Sequence, residues 1–174
     1  MTKGLWVLLP ELRWGELVMN HRVLVLALAA TLPLTAQRYD GPRPPTADLP
    51  YLKHATNLIP TEASEAKEEK GKKEEITYIV TGAASNARTP LASPIFLLQT
   101  EKLNAQRLQL FKLESRNGRR EAITSPKKPM KPFRIEVTKL EDKLYKIEVI
   151  DSLPPGEYSL SPDESNLVFC FAVV

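Results

Sequence analysis

Side chains able to do chemistry are few in this chain. His21 and His54 are the only histidines and Cys170 is the only cysteine among its 174 residues. His21 falls in a segment expected to be removed, so a histidine-based zinc site or a Ser-His-Asp triad would rest on His54 alone. His54 lies in YLKHATN and reads as a surface or edge-strand histidine. A reactive thiolate needs a basic, exposed setting, whereas Cys170 stands between Phe169 and Phe171 in LVFCFAVV and reads as a small buried hydrophobe. The acid pairs Glu141-Asp142 and Asp163-Glu164 fall in expected turns and lack the alternating oxygen-ligand spacing of a calcium loop. No catalytic, cofactor-binding or metal-ligating residue is assigned, and a non-enzymatic protein without a cofactor is expected.

One cluster of residues suggests binding. Arg116, Arg119, Arg120, Lys127, Lys128, Lys131 and Arg134 are interrupted by the single acid Glu121. If the hairpin and loop that carry them lie together, they would face an anionic surface, with each pairing weak in salt unless several act at once. The plainer reading is a solvated strand edge, since lysine and proline there discourage edge-to-edge pairing. No aromatic interleaving of the kind a single-strand nucleic-acid groove needs accompanies the cations, and a nucleic-acid partner is not expected.

The elements that would position these residues begin after an export signal. Residues 19–36 join the short basic head Asn20-His21-Arg22 to an apolar stretch from Val23 to Leu34, followed by Thr35-Ala36. That stretch is 12 residues long, whereas a helix needs about 20 to cross a bilayer, so removal is expected over retention. Cleavage after Ala36 would leave Gln37 first, although Leu34 is large for its place before the cut. Residues 1–18 carry Glu11 and Glu16 where a basic head belongs, and read as an extension or a start called too early. The alternative is a retained inner-membrane anchor. Periplasmic or secreted localisation follows from the first reading.

Residues 37–174 carry 21 basic and 19 acidic side chains, a balance that neither demands nor excludes an anionic partner. Residues 37–50 hold Pro42, Pro44, Pro45 and Pro50 and read as a proline-rich linker. One domain is expected over 51–174. Within it, Tyr51 to Ile59 reads as a first strand, and Thr61 to Glu75, with six Glu and four Lys, as a solvated loop or frayed helix. Strands are expected in ITYIVT, PIFLLQT, RLQLFKLES and RREAI; Asn117-Gly118 between the last two fits a type I′ hairpin turn. FRIEVTKL and LYKIEV alternate with Phe133, Ile135, Val137, Tyr145, Ile147 and Val149 facing inward. GEYSLS and LVFCFAVV follow, the latter apolar on both faces. About eight short strands without a long amphipathic helix indicate an all-β fold, an antiparallel β-sandwich or open barrel.

In SLPPGEYS, Leu153, Pro155, Gly156 and Tyr158 resemble the turn signature before a late strand of immunoglobulin-like, fibronectin type III-like and transthyretin-like sandwiches. Proline fixes φ entering such a turn, glycine accepts a positive φ, and the tyrosine hydroxyl can satisfy a backbone group while its ring packs. The chain also resembles small exported bacterial proteins that end in this turn and an apolar strand, which implies a cell-envelope location. The motif is structural in those families and brings no functional residue with it.

Three readings stand: an exported binding or structural domain of the envelope, with an envelope protein or anionic surface as partner; a membrane-tethered domain; and an enzyme with an unrecognised site. A membrane partner is expected only if the signal segment is retained. A polar pocket where side chains from several strands converge would be the most informative feature to find.

Overall fold

The computed structural model describes residues 38–71 and 74–174. The expectations for residues 1–18, the signal segment 19–36 and Gln37 lie outside them.

The fold is all-β and built from two antiparallel sheets. A five-stranded sheet contains β1 (Pro50–His54), β2 (Asn57–Pro60), β7 (Ile95–Gln99), β10 (Ile135–Glu141) and β11 (Leu144–Val149), in the order β10-β11-β7-β1-β2. The second sheet contains β3 (Glu62–Glu65), β4 (Lys67–Lys70), β5 (Ile76–Thr81), β8 (Leu108–Arg116), β9 (Arg119–Thr124), β12 (Gly156–Pro162) and β13 (Leu167–Val173). Its order is β3-β13-β12-β8-β9-β5-β4, and β6 (Arg88–Thr89) adds a short parallel pairing to β13. One turn of 3-10 helix, Ala105–Arg107, precedes β8.

The two ends of that second path are neighbours in the chain. β3 pairs with β13, β4 pairs with β5, and only Ala66 separates β3 from β4. The sheet therefore closes on itself through this bent segment and forms a small barrel, which leaves few unpaired edges. One outer flank of the barrel, made by β8, β12 and β13, carries the five-stranded sheet.

Strand alternation assigns the buried apolar side chains of this flank to one of two cores. Leu108 and Leu110, Tyr158 and Leu160, and Phe169, Phe171 and Val173 face the five-stranded sheet and meet Leu52, Phe96, Leu98, Ile147 and Val149. Phe96 meets Phe171 edge-on at 5.0 Å, and Tyr158 stacks on Phe171 at 5.6 Å. The opposite phase, Leu113, Val168 and Cys170, faces the barrel interior with Val80 and Ala122. β13 is thus apolar on both faces because it is shared by both cores. Each large side chain buried in this way contributes about 1.5–3 kcal/mol.

The expected hairpin is present: β8 pairs with β9, with Asn117 at φ 50° and Gly118 at φ 76°. These two positive values are what a type I′ turn requires. β7 is central in its sheet, flanked by β1 and β11. Ile135 and Val137 pack on the sandwich core opposite Val149 and Ile147 in register.

Several expectations are corrected. Tyr51 to Ile59 is not one strand but a hairpin, β1 and β2, in which His54 pairs with Asn57 and Ala55 takes φ 51°. Thr61 to Glu75 is not a loop or frayed helix through its length, because it supplies β3 and β4. Its polar composition misleads because ladder pairing to β13 and β5, not a buried apolar face, holds it in place. The strand count among the described residues is thirteen rather than about eight. Finally, the proline-rich stretch is bonded to the domain from Tyr39 onward and is no free linker there. Tyr39 N–H donates to Glu141, Arg43 pairs with Glu141, and Asp48 N–H donates to the Gln99 carbonyl.

The Asp48 carboxylate accepts the backbone N–H groups of Glu101, Lys102 and Leu103 at 2.9 to 3.1 Å, fastening the turn after β7. At the late turn, the Tyr158 hydroxyl donates to the Pro154 carbonyl at 2.6 Å, and Leu153 is buried. Tyr158 is itself fully buried and meets Phe133 edge-on, so this turn is clamped to the sandwich core.

Candidate functional site

The barrel interior is not filled along its whole length. At one end it opens into a cavity of about 460 Å3. Two-residue spacing delivers its walls: Tyr78 and Val80 from β5, Gln109, Phe111 and Leu113 from β8, and Ser159 and Ser161 from β12. Val168 from β13, Ala122 from β9, and Ala66 and Glu68 from the closing segment complete the circuit. The β12–β13 turn, Asp163 to Asn166, and Met130 from the loop after β9 stand at the mouth.

The cavity is graded in polarity. Val80, Leu113, Ala122 and Val168 are buried and make an apolar floor. Tyr78 and Phe111 offer aromatic surface partway up. Ser159, buried, shares a hydrogen bond with Ser161 at 3.3 Å between their hydroxyls. At the rim lie the carboxylates of Glu68, Asp163 and Glu164, and no lysine, arginine or histidine is among the lining residues described. Asp163 is paired with Arg107 at 2.7 Å, which also approaches Glu164 at 3.9 Å from outside the cavity.

Below the floor the barrel is plugged by charge. Arg120 is fully buried. Its Nε donates to the Gly82 carbonyl at 3.0 Å and its Nη2 to the Thr81 carbonyl at 2.8 Å. It also pairs with Glu62 at 2.5 Å and lies 3.8 Å from Glu157. Burial, the largest influence on Glu62, pushes its carboxyl up, but the Arg120 guanidinium and neighbouring donors outweigh this and hold it below its ordinary value. Glu157 ends above its ordinary value, because burial exceeds the pull of the Ser85 N–H and Arg120. Cys170 sits beside this group, and burial pushes its thiol up to about 12, so it is a poor nucleophile.

The seven cations grouped by sequence do not form one face. Arg119 and Arg120 are adjacent in β9, so they point to opposite sides of the sheet, and Arg120 belongs to the barrel plug rather than to the surface. Arg116 and Arg119 oppose one another across the hairpin and share Glu121. Arg116 pairs with Glu114 at 2.5 Å, and Arg119 lies 3.3 Å from Glu121. Arg134 makes paired contacts to Asp151 at 2.7 and 2.8 Å. Lys127, Lys128 and Lys131 are exposed and have no acidic partner among the described residues.

His54 closes β1, half-buried, with Nε2 2.9 Å from the Thr89 hydroxyl. Pro155, Gly156 and Tyr158 shape the late turn and stand apart from the cavity lining. Sequence reasoning missed the cavity, although a signal existed: Phe111 and Leu113 alternate with Leu108 and Leu110, giving β8 apolar residues on both faces. Among the described residues, no helix is long and apolar enough to cross a membrane. Compared with protein-family models, curated proteins and solved structures, the chain matches none of them.

Proposed function

We propose that this protein is an exported, non-enzymatic binding domain of the cell envelope, and that its site is the cup at the open end of the barrel. The observation that carries the proposal is the cup itself, a blind cavity of about 460 Å3 with an apolar floor, aromatic walls and a polar rim. That size and grading suit one small ligand, which buries an apolar part and leaves a polar part at the mouth. The lining supplies hydroxyls, an amide and carboxylates, a set that orients a ligand without pairing a nucleophile to a base. The 19–36 segment supports export. The Tyr158 clamp supports kinship with immunoglobulin-like, fibronectin type III-like or transthyretin-like sandwiches, and the proposal carries that resemblance as part of itself.

Native mass spectrometry of protein recovered from periplasmic and membrane fractions tests this reading. A soluble species of residues 37–174 with a small adduct, lost in Ala122→Phe, is the expected result. An adduct that survives this filling of the cup refutes the site. Full-length protein confined to the membrane replaces the free domain with a tethered one.

A second reading rests on Lys127, Lys128 and Lys131, whose exposure without acidic partners among the described residues suits an anionic surface. Replacing all three by serine would then weaken retention on anionic vesicles, and unchanged retention would end that reading.

A further inference from the structure

We infer that the cup selects ligands with a cationic head on an apolar, ring-sized body. This deepens the reading of the cup as the binding site and rests on it. The body is set by the lower cavity, where Tyr78 and Phe111 stand above an aliphatic floor and offer ring faces and edges to a flat apolar group. The head is set by the rim. Three carboxylates, Glu68, Asp163 and Glu164, line it, and no cationic side chain does so among the described residues.

The balance of these rim charges decides the sign. Arg107 engages Asp163 and Glu164 from outside the lining and offsets part of their charge. Among the described residues Glu68 has only Lys70 as a cationic neighbour, at 4.0 Å and largely exposed, which leaves its carboxylate available at the mouth. Lys127, Lys128 and Lys131 flank Met130 in sequence but are exposed and do not line the cavity. An ammonium seated at the rim therefore meets carboxylate oxygens while its chain descends past Tyr78. A carboxylate or phosphate in the same place would lose water and meet like charge. The aromatic faces of Tyr78 and Phe111 add attraction for a cation and none for an anion.

Three probes with one body and different heads, phenylbutylamine, phenylbutanol and phenylbutyrate, isolate the head group. Each is titrated into the purified protein while Tyr78 and Phe111 are followed by NMR. The amine is expected to bind about fivefold or more tightly than the acid, with the alcohol between them, as one exposed-to-half-buried ion pair would provide. The gap should narrow with added salt and in Glu68→Gln, which keeps the shape of the rim. Ala122→Phe, with its fold checked by the amide spectrum, should remove binding of all three. Equal or tighter binding of phenylbutyrate at Tyr78 and Phe111 overturns the charge selection while leaving the cup as a binding site. No perturbation at Tyr78 and Phe111 by any probe overturns the cup itself.

Discussion

Replacing Arg120 by methionine is expected to cost about 3–4 kcal/mol of folding stability, although a sequence reading places this residue among surface cations. Methionine keeps much of the stem but removes the donors to the Gly82 and Thr81 carbonyls and to Glu62. Two carbonyls left short of a donor cost about 1 kcal/mol each. Glu62, whose side chain is 24% exposed, retains some water together with the Ser64 hydroxyl and the Asn86 N–H. Its lost partner therefore adds about 1–2 kcal/mol rather than the full penalty of a sealed charge. For a domain of this size the sum corresponds to a melting temperature lower by about 10–15 °C. Urea unfolding followed by circular dichroism measures it, with the slope expected to stay unchanged. Arg119→Met is the internal control: its side chain is 40% exposed and, although its partner Glu121 is only 8% exposed, Arg116 stays 3.8 Å from that carboxylate, so the change should cost about 1 kcal/mol, well below Arg120→Met. Glu62→Met added to Arg120→Met should recover part of the loss, since it removes the stranded carboxylate. A loss below about 1 kcal/mol for Arg120→Met, or one equal to that of Arg119→Met, would refute the placement of Arg120 inside the barrel.

Three further outcomes follow from single features. Burial, the largest influence on Asp48, raises its carboxyl, yet the N–H groups of Leu103, Glu101 and Lys102 together hold it below its ordinary value. Its contribution is therefore present above the unfolded-state value near pH 4 and is lost as pH falls through the lower folded-state value. Asp48→Asn should cost about 1 kcal/mol at neutral pH and flatten the acid limb of the stability profile; an unchanged acid limb would count against this role. Gly118→Ala should cost about 1 kcal/mol from the φ of 76° alone, because an added Cβ meets nothing within 4 Å; a neutral effect in urea titration would remove the type I′ turn from the account. Cys170 should resist iodoacetamide at pH 8 until the denaturant midpoint, and rapid labelling of folded protein would contradict its burial.

The strands that face one core and solvent were legible in the sequence, because alternation there is clean. β10 and β11 display Ile135, Val137, Ile147 and Val149 at every second position, and Asn117-Gly118 marks its own turn. Legibility failed where a strand owes its existence to partners far along the chain. Glu62 to Lys70 has no apolar face, and nothing local announces that Glu62 lies opposite Cys170 or that Lys67 lies opposite Ile79. The cup was hidden for the same reason, since it exists only once that segment closes the barrel. The basic stretch misled in a different way. Charge was counted along the chain, whereas the two-residue period of β9 sends Arg120 inward and Arg119 outward, and the partners Asp151, Glu114 and Glu69 lie outside the counted stretch.

Closure through Ala66 also has a temporal side. β4 finds β5 within a few residues, but β3 must wait for β13, more than a hundred residues downstream, before its side of the second sheet is satisfied. Pairings between such distant segments are entropically slow to nucleate. Everything from β3 to β12 is therefore synthesised before the barrel can shut, and throughout that interval the polypeptide has no complete native state to fall into. A polypeptide in that condition can still be threaded through a narrow channel, and its cup comes into being only when the final strand arrives.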